Sequence, residues 1–226
     1  QHGLTTFLND ETSKEASVPQ HTDIMDSFKS SQRITDRQDI VDFLRRPVVI
    51  ADGSLTSADT ATTFTAYRVP DAILVAGTNQ LKISGFIGIR GTYVFTLQVN
   101  ANRFVQGRYM LNFYPSGGAV DQTQEGQYRA FHEFSLMQRT QVPGVQIDLN
   151  TETQVTIKIP FISPYLYNPI GSMTQGTGSR QIGAVRIQPY VSASVTVGYT
   201  LWGHIEDAEL FIPTVPQARG GFSVSE

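Results

Sequence analysis

A chain of 226 residues with 17 Lys and Arg, 20 Asp and Glu and a formal net charge of -3 can bury one substantial core, and an all-β domain of this size is ordinary. Charged residues make up only 16% of it, so its polar surface rests on Ser, Thr, Gln, Asn and Gly, which suits extensive contact with other chains better than solitary life. Cysteine is absent, which excludes disulfides, thiolate metal sites and cysteine nucleophiles; the sequence also contains no run of 18 apolar residues and no Asn-x-Ser/Thr sequon.

The chain begins at Gln1 rather than Met, which fits release from a longer precursor and equally fits a trimmed chain. Residues 1–34 are polar, carry isolated apolar residues such as Leu4, Phe7, Met25 and Phe28, and follow neither structural period. They form an arm, either a disordered tail or a segment ordered only across a partner. Thr35 and Gln38 then have capping-box spacing ahead of Ile40, Val41 and Leu44, with Pro47 as the stop, which predicts a short helix.

From Val48 the chain turns β. Val48 to Ile50 reads as a strand, ADGSLTSADT as a polar break, and Thr62 to Val69 as a second strand. Ala72 to Val75 predicts one helical turn, and GTNQ punctuates before a strand over Leu81 to Ile89. The central stretch is GTYVFTLQVNANRFVQGRYMLNFYP, residues 91–115, where Tyr93, Phe95, Leu97 and Val99 alternate, then Tyr109, Leu111 and Phe113. The two halves read as a hairpin whose loop uses Asn100, Asn102 and Gly107.

A flexible loop, SGGAVDQTQEGQ, precedes YRAFHEFSLMQR, where Tyr128, Phe131 and Phe134 give a helical face. Val145, Ile147 and Leu149 alternate, Asn150 and Thr151 turn, and Val155, Ile157, Ile159 and Phe161 alternate again, reading as a second hairpin. A Pro-, Tyr- and Gly-rich loop separates it from Ala184 to Tyr190, and Val195, Val197, Tyr199 and Leu201 mark the last strand. Seven or eight strands with one apolar face each need a second sheet to cover them, which predicts a two-sheet sandwich or jelly roll.

The motifs of catalysis are missing. The four histidines, His2, His21, His132 and His204, make no metal spacing, and no phosphate loop occurs among the glycines. Glu206, Asp207 and Glu209 cluster after His204, which fits a calcium site less well than a solvated face, because no Asp-x-Asp-x-Asp-Gly loop supports it. His204 beside these carboxylates is placed to titrate near endosomal pH only if the groups touch. Arg45 and Arg46 form the basic doublet, opposed nearby by Asp23, Asp26, Asp36, Asp39 and Asp42, so any contact with RNA is minor and local. The alternating Tyr93, Phe95, Tyr109 and Phe113 fit core packing better than a base-stacking platform. No catalytic, cofactor or metal residue is assigned, and no cofactor is expected.

Four segments in order, RGTYVFTLQVNANRFVQGRYMLNFYP, PGVQIDLN, TQVTIKIPFISPYLY and WGHIEDAELFIP, resemble the major capsid proteins of picorna-like viruses over residues 35 to 213. Gly107 occupies the family's glycine at the start of a strand, and Pro160 with Phe161 its strand-ending Ile-Pro step. FLRRPVVI and the polar arm look most like dicistroviruses or their marine relatives, and the subunit numbered two in particular. The Asp-Asp-Phe motif linked with precursor self-cleavage is absent, so nothing of that activity carries over.

The resemblance implies an eight-stranded antiparallel jelly-roll β-sandwich over 35–213, an N-terminal arm over 1–34 for inter-subunit contacts and a tail over 214–226. It implies a structural role in the virion, in a pseudo-T=3 shell built with sister subunits and copies of itself, after synthesis in the host cytoplasm and polyprotein processing. No enzyme activity and no membrane insertion are expected. The alternative is a carbohydrate-binding sandwich using Tyr165, Tyr167 and Trp202 as loop aromatics; a cupin-type enzyme lacks its histidine-rich metal cluster.

Overall fold

In the computed structural model, residues 39–61, 63–115, 135–170 and 182–214 are described. The chain divides into two units, Gln1–Asp39 and Ile40–Glu226, and every described helix and strand belongs to the second. In chain order they are α1 Ile40–Leu44, β1 Val48–Leu55, β2 Tyr67–Val69, α2 Asp71–Val75, α3 Asn79–Ile83, β3 Phe86–Val99 and β4 Arg108–Pro115. They continue with α4 Leu136–Gln141, β5 Gly144–Asp148, β6 Gln154–Ile159, the two-residue β7 Asn168–Pro169, β8 Gly183–Val191 and β9 Val197–Pro213.

Two antiparallel sheets result. One runs β1-β9-β3-β6, with β7 also pairing with β3, and the other runs β2-β8-β4-β5. Strand alternation explains the shared core: Tyr93, Phe95 and Leu97 of β3 are fully buried, while Thr96 and Gln98 face outward and bond across to Thr156 and Gln154. Tyr93, Phe95 and Leu97 lie opposite Ile159, Ile157 and Val155 of β6. From the other sheet, Tyr109 and Leu111 of β4 pair with Ile147 and Val145 of β5, and Leu111 and Phe113 with Ile187 and Val185 of β8. At Gly203 of β9 a Cβ would collide with the Ile50 side chain and lie 2.9 Å from Ile73 of α2, so the missing side chain is what lets α2 and β1 press onto the sheet.

Neither predicted hairpin forms. β3 pairs with β6, β7 and β9, and β4 with β5 and β8, so residues 100–107 carry the chain from one sheet to the other, and residues 149–153 do the same between β5 and β6. Alternation reports which face of a strand is buried and says nothing of its partner; two consecutive strands that bury the same core do so equally well from opposite sheets.

The other differences are local. The polar break after Ile50 is strand as far as Leu55, because β1 lies at a sheet edge with one face wet. Of the predicted strand 62–69, Tyr67–Val69 forms, and of 81–89 the first part is helix α3, with β3 starting at Phe86. Short apolar runs such as Leu81 to Ile83 do not distinguish the two states. The helical turns at Ile40 and Asp71 form as expected. Thr35, Gln38, Tyr128, Phe131 and Phe134 lie outside the described residues.

The middle of the outward face of the four-stranded sheet is also closed. Met110, Asn112, Tyr114 and Gln188 point away from the core, yet all are at most 3% exposed. Asn112 donates to Gln188 Oε1 at 3.1 Å and to the Arg139 carbonyl of α4 at 3.3 Å, and the Tyr114 hydroxyl donates to the same Gln188 oxygen. Arg139 in turn donates to the Pro189 carbonyl at 3.2 Å. The Ser135 and Gln138 capping box starts α4 where it can make these bonds.

Candidate functional site

With the middle of one sheet covered on its outer side, the largest open surfaces among the described residues are the outward face of the five-stranded sheet and the two ends of the sandwich. That face is a polar ladder. Asp52, Thr200, Gln98 and Gln154 stand in register across β1, β9, β3 and β6, followed by Trp202, Thr96 and Thr156, then His204, Val94 and Lys158.

Lys158 Nζ lies 2.8 Å from both carboxylate oxygens of Glu206, and His204 Nε2 lies 3.6 Å from one of them. The Lys158 hydrogen bond is the main reason the Glu206 carboxyl is held below its usual range, with a smaller contribution from His204. Asp148 is held low mainly by Arg108 at 3.0 Å and then by the Asn150 amide. Both groups favour the folded state fully above the ordinary carboxylate pKa of about 4, and that contribution disappears as pH falls through their lowered values. We therefore expect thermal stability to be level from neutral pH down to about 4.5 and to decline below it, with a shallower acid slope in Glu206→Gln/Asp148→Asn. An unchanged slope between pH 2 and 5 in a melting series would contradict the assignment.

The three clustered carboxylates do not converge. Glu206 faces Lys158, Asp207 sits at a bulge with φ of 50° and pairs with Arg45 at 3.3 Å, and Glu209 lies opposite Arg90. Among the described residues no group of three or more His, Asp or Glu comes together. His2, His21 and His132 are outside them. Arg45 is engaged with Asp207 and with Asp42, and Arg46 lies over the Phe43 ring at 5.8 Å. Tyr93, Phe95, Tyr109 and Phe113 are core residues.

The aromatic trio of the carbohydrate reading is dispersed. Trp202 is not in a loop: it lies in β9 opposite Thr96, with its indole N–H donating to Gln98 at 2.6 Å. Tyr167 is stacked on Phe211 at 5.5 Å, against Gly88 of β3. Gly88 and Thr96 are eight residues apart on one strand, or about 26 Å, too far for one sugar to span.

The ends of the sandwich carry the exposed apolar groups. At one end the 100–107 and 192–196 loops are joined: Ser194 N–H donates to Gln106 O at 2.7 Å and Gln106 N–H to Ser194 Oγ at 3.0 Å. Phe104, Val191 and Val195 project there, 89%, 54% and 60% exposed. A cleft of about 500 Å³ opens beside them, lined by Asp52, Gln98, Tyr199 and Thr200 among others. At the opposite end Ile162, Leu166 and Ile212 are exposed. Nothing in the sequence pattern marked Phe104; an aromatic inside an Asn-rich loop was the available signal.

A sandwich with sheet orders β1-β9-β3-β6 and β2-β8-β4-β5, its successive strands β3 to β6 alternating between layers in pairs, is a jelly roll, an architecture of viral capsid and lectin domains. Residues 46–188 match the picornavirus capsid protein family, and the chain belongs to that family. It is 31% identical over 204 residues to the structural polyprotein of cricket paralysis virus, covering 85% of this chain and 22% of the relative, and 25% identical to that of acute bee paralysis virus, covering 93% and 25%. The chain thus spans about a quarter or less of the curated relatives it matches. Among solved structures it resembles black queen cell virus (30% identity, TM-score 0.70, 83% of this chain and 79% of that one). It also resembles the Triatoma virus empty capsid (26%, 0.68, 80% and 98%). The chain is a structural capsid subunit of dicistrovirus type.

Proposed function

We propose that this chain is one of the large subunits of a non-enveloped icosahedral shell around a positive-strand RNA genome, cut from a polyprotein made in the host cytoplasm and assembled with sister jelly rolls and copies of itself in a pseudo-T=3 arrangement. The family match across 46–188 together with the two-sheet order supports this reading. The work of such a molecule is burying surface. Its sandwich supplies a rigid wedge, and its exposed ends carry apolar side chains that a shell would cover.

Residues 1–34 are the arm of this scheme, reaching between building blocks as in the subunit numbered two, and residues 214–226 the tail. Linking blocks through arms makes the shell multivalent, so several weak contacts hold it together. RNA contact stays local, because Arg45 is already paired. Deletion of residues 1–34 is expected to leave a folded sandwich by circular dichroism while lowering particle yield at least tenfold on a sucrose gradient. Particles of wild-type yield and heat resistance from that deletion would remove the arm from the assembly scheme.

A further inference from the structure

The outward face of the five-stranded sheet carries a hydrogen-bond relay whose direction is set at one end. An indole N–H only donates, so the Trp202 bond at 2.6 Å makes Gln98 Oε1 the acceptor. Gln98 Nε2 is thereby turned toward Gln154 Oε1, at 3.2 Å. The amide N–H groups of Gln154 are left without a partner among the described residues. A side chain held in this way presents donors that need no reordering when a ligand arrives.

The relay ends in the cleft of about 500 Å³, within the span of about 300–1,000 Å³ common to ligand sites. The lining is polar, with Asp52 as its charged group beside Gln98, Asn100, Thr153, Gln154 and Thr200. Asp52 is exposed and makes no ion pair or side-chain hydrogen bond among the described residues. Asp52, Thr200, Gln98 and Gln154 are in register on four neighbouring strands, so the carboxylate and the free amide stand about 14 Å apart. Trp202 follows Thr200 on the same face of β9 and is partly exposed.

We propose that this cleft binds a short neutral oligosaccharide, lying across the strands from Asp52 to Gln154 with one ring against the Trp202 indole. A carboxylate accepts from paired sugar hydroxyls, carboxamides and threonine hydroxyls both donate and accept, and an indole takes the C–H face of a pyranose. The lining holds no cation, so it offers nothing to an anionic sugar or a phosphate and repels either through Asp52. A peptide strand fits less well, because the row runs across side chains and not along a free backbone edge. Tyr165 and Tyr167 take no part. The inference goes beyond the proposed role in assembly and does not depend on it.

Trp202 is the only tryptophan in the chain, so its fluorescence reports on the site directly. The full chain is titrated with mannotriose, maltotriose and N-acetylchitotriose, and with sialyllactose as the anionic control. A saturable fluorescence change with at least one neutral sugar is expected, together with saturation transfer from the protein to that sugar's protons by NMR. Asp52→Ala and Gly198→Leu are each expected to weaken binding at least tenfold. Both positions are exposed, and a Cβ at Gly198 has its nearest neighbour at 3.9 Å, so circular dichroism and melting temperature should match the wild-type chain. If Gly198→Leu unfolds the chain, Asp52→Ala combined with Gln154→Ala, both at exposed positions, carries the same test.

Three results would each overturn the assignment: no saturable change with any neutral sugar, equal affinity in the variants and the wild-type chain, or tighter binding of sialyllactose than of every neutral sugar. None of them bears on shell formation, which is read separately from particle yield.

Discussion

Phe95→Ala is expected to lower the unfolding free energy of the subunit by about 3–5 kcal/mol, enough to consume much of the roughly 5–15 kcal/mol that holds a domain together. Phe95 has no exposed surface, lies opposite Ile157 on one neighbouring strand and Gly203 on the other, and sits within the single cluster shared by both sheets. Truncation leaves a void that β3 cannot collapse to fill, because its backbone is tied on both sides by β6 and β9. The adjacent residue is the control. Thr96 faces outward and bonds Thr156 at an exposed site, so Thr96→Ala is expected to cost about 1 kcal/mol or less. Urea unfolding followed by Trp202 fluorescence measures both. Similar losses at the two positions would contradict the assignment of inner and outer faces.

Asp59→Ala is expected to cost roughly 2–4 kcal/mol through the loop end rather than the core. Asp59 is 8% exposed and accepts from Thr56 N–H at 2.8 Å, from Thr56 Oγ1 at 2.9 Å and from the Tyr109 hydroxyl at 2.7 Å. That hydroxyl accepts in turn from the Ala193 amide at 3.0 Å, and Ser192 Oγ donates to the Asp59 carbonyl at 2.9 Å. Burial and then the Asp59 contact raise the Tyr109 pKa, which keeps the phenol protonated as a donor. One carboxylate thus ties β1's exit, β4 and the β8–β9 loop. Alanine removes the nearer acceptor of the phenol and leaves it the Thr56 carbonyl at 3.3 Å, while Asp59→Asn keeps an acceptor and is expected to lose less. Hydrogen exchange should rise selectively at 56–59 and 192–195, and unchanged protection there would refute the link.

Face alternation carried most of what the sequence reveals about the fold. Tyr93, Phe95, Leu97, Tyr109, Leu111 and Phe113 all lie in the core as the period of two requires. Pairing was not legible, since β3 finds β9 more than a hundred residues away and the same alternation serves either sheet. The polar residues of β1 hid a strand because an edge needs few apolar groups. What was not readable is the joining of two distant loops by Gln106 and Ser194 and the cleft beside them, because both depend on which strand ends the sheets bring together.

The placement of β9 has a further outcome during synthesis. The last of the described strands lies between β1 and β3, so a nascent chain holds two strands whose common neighbour is missing until residue 213 has left the ribosome. Until then their unpaired edges remain open to the wrong partner. Productive folding of the sandwich is therefore a late event, timed by the arrival of β9.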